Sequence, residues 1–343
     1  MLGNRNCHQG TLSRIVSFLL VALLWLLFCS AVSAGGLDWG GGGGDDTGGT
    51  AGCTPDAPLV IIPGPLGSPV RIVPFDEQTY LIADYSRKTL SWVDPSGTLS
   101  PFIETLGKPL SVAINASFRK NGTLKEAYYF VGNDDARTID VYYEKNDQFD
   151  LVGQYPVGDN GIQALDMVFD QTQNHLFVVD GLAREVKVLQ PDGQLVRSFG
   201  FGVLSDPKGV DIDAVTGEIY VSDYGDPVVY PVIPASIKVF DMTGSHLSGR
   251  TISGYGLFSR PQGLSLSGDK VYLADNLLAQ ILEFDRATGA KTSSFGCKGS
   301  SDGHLLLPMD VALGDGQNLY VADNRNMRVT VLPLTQPSPG GQP

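Results

Sequence analysis

The stretch Leu319–Leu332, LYVADNRNMRVTVL, decides the fold. Leu319 to Ala322 is short, apolar and rich in strand formers. Asp323, Asn324, Arg325 and Asn326 are turn residues whose side chains can bond nearby backbone groups. Met327 to Leu332 then alternates apolar and polar, the period of a half-buried strand. The unit recurs along the chain. It returns as YLIADYSRKTLSWV around Asp84, YFVGNDDARTIDVY around Asn133 and LFVVDGLAREVKVL around Asp180. IYVSDYG carries Asp223, with its partner strand SIKVF resuming at Ser236, and VYLADNLLAQILEF carries Asp275. Successive positions, ending at Asp323, lie 49, 47, 43, 52 and 48 residues apart. A fixed period in this range belongs to propellers and solenoids.

Each unit also has a short strand before the hairpin, often opened by Pro and a polar or small residue, as in Pro207-Lys208-Gly209-Val210, Pro261-Gln262-Gly263-Leu264 and Pro308-Met309-Asp310-Val311. The first five have a trailing strand ending in Gly107, Gly158, Gly200, Gly254 or Gly296. That makes four strands, A to D, in each of six units. The units resemble NHL repeats, and Val-Ala-Asp-x-x-Asn-x-x-Val in the sixth matches that family's core. The resemblance covers Ala57 to Leu332 and implies an all-β, six-bladed propeller of four-stranded antiparallel blades around a central channel. Copy two departs most, with Gly132 and Asn133 in place of the small residue and Asp, and copy four carries a long insertion. The sixth unit lacks a D strand, while Pro58 to Ile62 has no unit of its own. This N-terminal segment is expected to supply the missing outer strand and close the ring.

Outside residues 57–332 the chain reads differently. Arg5 and Arg14, the apolar run Ile15 to Phe28, and Val32 and Ala34 at −3 and −1 form a secretory signal peptide over residues 1–34, with cleavage expected after Ala34. Retention as an anchor is the alternative, although the run is short for a span of about 20 residues. Residues 35–56 are a Gly-rich flexible linker with Gly40 to Gly44 at its heart. Residues 333–343 are a Pro/Gly-rich tail expected to be disordered. The expected address is therefore secreted, periplasmic or cell-envelope. The leader holds two of the 24 basic residues and none of the 37 acidic ones, so its loss leaves 22 against 37, a net −15. Such a surface does not suit nucleic acid, which needs clustered Lys and Arg.

Two cysteines remain in the mature chain, Cys53 and Cys297. Export permits a bridge, but Cys297 follows the D strand of blade five while Cys53 precedes the D strand of blade six, which places them near opposite rims. A strand of five residues is about 17 Å long, and bridged Cα atoms lie within about 7 Å. Spacing therefore argues against the pair unless the linker folds back.

The residues that end strand B, Asp84, Asn133, Asp180, Asp223, Asp275 and Asp323, are read as structural Asx turns of their own B–C loops. One residue per blade is too dispersed for ligands that must reach an ion within about 2.3–2.6 Å. Some six-bladed propellers are enzymes with calcium held by channel carboxylates, and peptide-amidating lyases, which also resemble NHL proteins, use zinc-bound His. Here His175, His246 and His304 are not placed to converge. The A-strand starts, Leu110, Leu165, Lys208, Gln262 and Met309, are expected to line the channel, beside Arg71, Ser111, Asp166 and Asp310. Asp166 and Asp310 fall on opposite blades. No Gly-x-Ser-x-Gly, paired Cys motif or phosphate loop appears.

Two insertions stand out. Ser117 to Glu126, with Arg119, Lys120 and Lys125, lengthens the A–B hairpin of blade two. Tyr224 to Ala235, YGDPVVYPVIPA, lengthens the B–C loop of blade four and is apolar and stiffened by three Pro. Either it is a contact surface or it packs back on the ring. Asn115-Ala116-Ser117 and Asn121-Gly122-Thr123 fit the glycosylation sequon. The sequence thus favours an exported, non-enzymatic propeller without cofactor that binds a protein or an extracellular polymer. The expected contact residues are Tyr224, Val228, Val229, Tyr230 and Ile233, with Lys208, Gln262 and His304 on the same rim. The alternative is an exported hydrolase or lyase with calcium or zinc in the channel.

Overall fold

The structure is a computed structural model that describes residues 60–334 except 77–78, 95, 121, 147 and 314–315. The expected leader, the linker, most of the tail, Cys53, Pro58, Leu59 and Asn121 lie outside the described residues. Blade one comprises β2 (Pro69–Pro74), β3 (Tyr80–Asp84), β4 (Thr89–Val93) and β5 (Leu99–Glu104), after the separate N-terminal strand β1 (Val60–Pro63). Blade two is β6 (Pro109–Phe118), β7 (Leu124–Asn133), β8 (Thr138–Lys145) and β9 (Gln148–Tyr155). Blade three is β10 (Ala164–Asp170), β11 (His175–Asp180), β12 (Glu185–Leu189) and β13 (Leu195–Phe199). Blade four is β14 (Pro207–Asp213), β15 (Glu218–Asp223), β16 (Ser236–Asp241) and β17 (Ile252–Ser253). Blade five is β18 (Pro261–Ser267), β19 (Lys270–Asp275), β20 (Gln280–Asp285) and β21 (Lys291–Phe295). A short parallel pair, β22 (Cys297–Lys298) with β23 (His304–Leu305), links it to blade six, β24 (Pro308–Ala312), β25 (Asn318–Asp323) and β26 (Arg328–Pro333).

Every blade is a four-stranded antiparallel sheet, and the sixth has the order β1-β26-β25-β24. The N-terminal strand therefore closes the ring, in the register Val60↔Val331 to Pro63↔Arg328. β26 runs to Pro333, and the Leu334 amide donates to the Gln317 carbonyl, so the ring reaches two residues beyond the expected Leu332.

Six apolar clusters fill the gaps between neighbouring blades, one at each junction. At the seam between blades six and one, Tyr80 stacks on Tyr320 with ring centroids 3.8 Å apart. Asn324 donates across the same seam to Ser68 Oγ and the Pro69 carbonyl. Each blade is thus covered on both faces, which explains why the B strands read as unbroken apolar runs rather than alternating ones. The expectation of a half-buried strand at Met327 to Leu332 fails for the same reason. β26 is buried from Arg328 to Leu332, and Met327 stands outside it at φ 53° after a 3-10 turn.

The polar residues of β26 are buried because they serve Asp323. Its carboxylate accepts from the Leu306 amide, Asn326 Nδ2, Arg328 Nε and Thr330 Oγ1 at 2.8–3.1 Å. Similar geometry recurs around the ring. Asp84 accepts from the amides of Gly67, Ser68 and Arg87, and Asp275 from those of Ser259, Arg260 and Leu278. Asp180 accepts from Gln163 and Leu182, and Asp223 from Ser205, Asp206 and Gly225. These carboxylates therefore satisfy both the turn after strand B and the connection leading into strand A, one loop more than the sequence suggested. Strand C supplies a countercharge in three blades: Lys187 to Asp180, Lys238 to Asp223 and Arg328 to Asp323. Blade two reverses the roles. Asn133 is neutral, and its Nδ2 donates at 2.7 Å to a carboxylate on strand C, Asp140, which also accepts from Thr138 and Gln154.

Cys297 is buried and disulfide-bonded. The other three cysteines of the chain all fall outside the described residues.

Two outcomes follow from this geometry. Deleting residues 57–62 strips β26 of its outer partner and should cost several kcal/mol, a large share of the about 5–15 typical of a domain. A deletion variant melting with the parent contradicts that role for β1. Lys187→Ala leaves Asp180 buried without its countercharge and should cost about 3–5 kcal/mol. Asp180→Asn with Lys187→Asp rebuilds the blade-two arrangement and should recover part of the loss in chemical denaturation. Equal stability of the single and double variants removes the pairing from the account.

Candidate functional site

Two features are placed by the ring: a central channel and a hairpin on its rim. Every A strand carries a register shift at its first residues, between Pro69 and Arg71, Pro109 and Ser111, Ala164 and Asp166, Pro207 and Gly209, Pro261 and Leu264, and Pro308 and Asp310. Such bulges re-aim backbone groups, and here they turn carbonyls into the channel. Arg71, 4% exposed, collects them. Its Nη1 donates to the Val70 and Met309 carbonyls, each at 3.2 Å, and its Nη2 to those of Leu165 and Lys208 at 2.6 and 2.9 Å. Its Nε lies 3.0 Å from Asp166 Oδ1 as an ion pair that is not aligned for a hydrogen bond. One side chain of blade one thereby binds blades three, four and six.

Carboxylates continue the circle. Asp166 accepts from the Val210 amide of blade four at 2.9 Å, Asp310 from the Ile72 amide of blade one at 3.0 Å, and Asp211 from the Leu266 amide of blade five at 2.8 Å. Ser111 Oγ donates to the Ala164 carbonyl at 2.6 Å. Burial pushes the Asp166 and Asp310 carboxyls up, and Arg71 pulls both back toward ionisation. Burial also raises Asp211, to about 6. Asp166 and Asp310 lie on opposite blades; Arg71 contacts Asp166, and its charge also reaches Asp310. The Asp166 charge also pushes the Asp310 carboxyl up. From Arg71 toward the A–B turns lies a cavity of about 260 Å3, lined by Arg71, Asp166, Asp211, Asp310 and Ser265 with apolar walls that include Val73, Ile114 and Leu266.

A catalytic calcium or zinc in this channel does not fit the residues. The guanidinium occupies the centre of the carbonyl ring where a hard cation would sit. The His residues are dispersed: His175 opens β11, His246 bonds Thr251 in blade four, and His304 lies in the pair leading to blade six. Among the described residues no three His, Cys, Asp or Glu side chains are grouped to hold an ion.

The blade-four insertion is the second feature. Residues 226–233 form a small hairpin, closed by the Asp226 amide to the Ile233 carbonyl at 2.9 Å and the reverse bond at 3.0 Å. Its tip is held away from the blades: Tyr230 is 99% exposed and Val228 90%. Val229 and Ile233 are exposed as well. Tyr224, at its base, is half-buried under the Arg260 guanidinium, 5.8 Å from the ring centroid. The tip does not pack back on the ring. B–C and D–A connections share a rim in an up-and-down blade, so the hairpin shares one with the starts of the A strands. Lys208 and Gln262, expected there as contacts, have other partners. Lys208 Nζ pairs with Asp206 and its carbonyl with Arg71, while Gln262 is buried and its carbonyl accepts from Ser222. His304 Nδ1 lies 3.2 Å from the Asp302 carbonyl. The basic blade-two insertion lies on the opposite rim as an extension of β6 and β7, turning at Arg119 to Thr123. Sequence reasoning placed Arg71 in the channel but missed its role. The signal was there, since Arg71 is the one basic residue in a set otherwise made of Ser111, Asp166, Gly209, Gly263 and Asp310.

Residues 305–332 match the NHL repeat family. No curated protein matches the sequence. Among solved structures, the fold is similar to a hydrazine synthase of Kuenenia stuttgartiensis at 13% identity and TM-score 0.56, covering 80% of this chain and 97% of that one. It is also similar to a streptogramin B lyase at 10% identity and TM-score 0.54, covering 80% and 97%. A third is the PQQ-bound aldose sugar dehydrogenase of Streptomyces coelicolor, at 14% identity and TM-score 0.56, covering 82% and 99%. Identities this low speak for the fold alone, and these relatives span different activities. The chain is a six-bladed β-propeller in a closed ring whose last blade carries an NHL repeat.

Proposed function

We propose that this chain is an exported, non-enzymatic propeller that binds a protein partner through the blade-four hairpin. The observation that carries the reading is the hairpin itself, in which Val228, Val229, Tyr230, Val232 and Ile233 are presented to solvent on a backbone closed by its own hydrogen bonds. Exposing that much apolar side chain in one short segment costs solvation free energy unless a partner covers it. Pro227 and Pro231 in it, with Pro234 just after, limit the conformations lost on binding, which lowers the entropic cost of association. Aliphatic side chains beside one Tyr favour a protein pocket over a hydrated polysaccharide, whose recognition relies on polar groups and aromatic platforms. The channel supports a scaffold role too, because its centre is taken up by Arg71 and its carboxylates are committed to neighbouring backbone amides.

Export rests on the N-terminal sequence pattern and is supported by the half-cystine at Cys297, since disulfides persist in oxidising compartments. In this setting the Gly-rich linker serves as a tether between the point of attachment or cleavage and the ring.

The test is capture from the native extracellular or envelope fraction on immobilised protein. Val229→Ser with Tyr230→Ser should reduce recovery of the partner at least tenfold while the melting temperature stays that of the parent, because buried aromatic contacts are worth about 2 kcal/mol or more. A polysaccharide recovered in place of a protein shifts the ligand class. Unchanged capture, or a lowered melting temperature in its place, removes the hairpin as the contact.

A further inference from the structure

The blade-four hairpin does not stand alone on its rim. The connections on either side of it, from blade three to four and from blade four to five, turn through one motif, Gly200-Phe201-Gly202 and Gly254-Tyr255-Gly256. Each turn closes onto its first glycine. The Val203 amide donates to the Gly200 carbonyl at 2.9 Å and the Leu257 amide to the Gly254 carbonyl at 3.3 Å. The aromatic residue between the glycines is left in solvent: Phe201 is 83% exposed and Tyr255 wholly so. The equivalent turn between blades two and three, Gly158 to Gly161, carries Asp159 and Asn160 instead. The B–C turns repeat the contrast. Leu182 of blade three and Leu277 of blade five are exposed. Over blades six, one and two, the same rim exposes only Leu106 and Met327 as large apolar side chains among the described residues.

The apolar loops are neighbours. The Tyr224 amide at the hairpin base donates to the Asp206 carbonyl of the first connection at 3.0 Å, and the Asn276 amide beside Leu277 to the Arg260 carbonyl of the second at 3.0 Å. The Arg260 guanidinium in turn lies over the Tyr224 ring. The tips therefore form one arc over blades three to five. Its fully exposed charges are both arginines, Arg184 and Arg260, on a chain whose net charge is −13. The half-buried carboxylates of the arc are committed: Asp206 to Lys208, Glu185 to Lys187, and Asp226 to the Val228 amide. A partner that covers the apolar tips also desolvates the two guanidiniums, and each then needs an acceptor, best met by a carboxylate. A second copy of the arc has no free carboxylate to give.

We propose that the arc over blades three to five is the docking surface for the protein partner, and that it takes a polypeptide segment in which large apolar residues are flanked by Asp or Glu. Aromatic residues and Arg are the side chains that carry most of the energy in protein contacts. The inference rests on reading the hairpin as a protein contact, extends that contact to both sides and assigns its chemistry.

The experiment selects a random peptide library displayed on phage against the immobilised full chain at low salt. Selected peptides should combine large apolar residues with Asp or Glu, and a synthetic copy of one should bind less tightly in high salt. Phe201→Ser with Tyr255→Ser should weaken that peptide at least about tenfold at an unchanged melting temperature. Arg184→Ala with Arg260→Ala should remove the salt dependence and leave the parent chain's preference for Asp over Asn in the peptide abolished. Peptides selected without acidic residues, or no selected peptide at all, overturn the proposal. Weakening by Val229→Ser with Tyr230→Ser but not by the Phe201 and Tyr255 changes also overturns it while the hairpin reading stands. Weakening by the Phe201 and Tyr255 changes alone keeps the arc and removes the hairpin. Self-association in sedimentation, or binding to phosphatidylserine vesicles, that is lost in the Phe201 and Tyr255 variant assigns the arc to a second copy or to lipid and overturns the proposal.

Discussion

A single buried guanidinium sets the geometry of this ring. Six sheets arranged around an axis leave their innermost strands unpaired toward the channel, and the backbone groups there must find partners or lose solvation. Bulges at the A-strand starts turn carbonyls inward, and Arg71 receives four of them together with one carboxylate. Because its partners lie on four blades, the interaction fixes blade to blade distances rather than the shape of any one sheet. The carboxylates of Asp166, Asp211 and Asp310 add staples between neighbours, each to an amide of the next blade. Burial of ionisable groups at such density is tolerated only because the charges are paired and the remaining valences are filled by backbone.

The second constraint recurs farther out. In five blades an Asp at the end of strand B ties two loops together, and in three of these strand C answers its burial with a cation. Blades three, four and six use Lys187, Lys238 and Arg328, and blade two moves the carboxylate from strand B to Asp140 on strand C. The departure of copy two from the repeat is thus a relocation of the acid to the facing strand within the same pair of positions. The loops fixed in this way are those of the rim that carries the blade-four hairpin, so the local stiffness of the repeat positions the surface assigned to binding.

Much of the architecture was legible in the residues. Period, strand number and the closing N-terminal strand follow from the spacing of Asp84 to Asp323 and from a sixth unit lacking its D strand. What periodicity misread is burial. Arg328 and Thr330 look like the solvent face of a half-buried strand, yet they are buried because Asp323 needs them, and a pairwise need of that sort leaves no periodic trace. Arg71 was named as a channel neighbour, but its role depends on carbonyls contributed by Leu165, Lys208 and Met309, residues whose side chains say nothing of where their backbones point. Projection of the hairpin was half legible: three Pro and an apolar run signal a stiff, sticky loop, but only the Asp226–Ile233 closure shows that it stands off the ring.

A propeller built this way is tied together at its axis and holds an apolar hairpin out to solvent, a combination suited to presenting a contact surface. Amide hydrogen exchange resolved along the chain tests the physical core of this account most directly. The amides of Ile72 and Val210, which donate to Asp310 and Asp166 beside Arg71, should open only with global unfolding and exchange more slowly than any amide of the outer strands β5, β9, β13, β17 and β21. Outer strands that outlast those two amides would show that the ring is held from its periphery, and the central role given to Arg71 would be wrong.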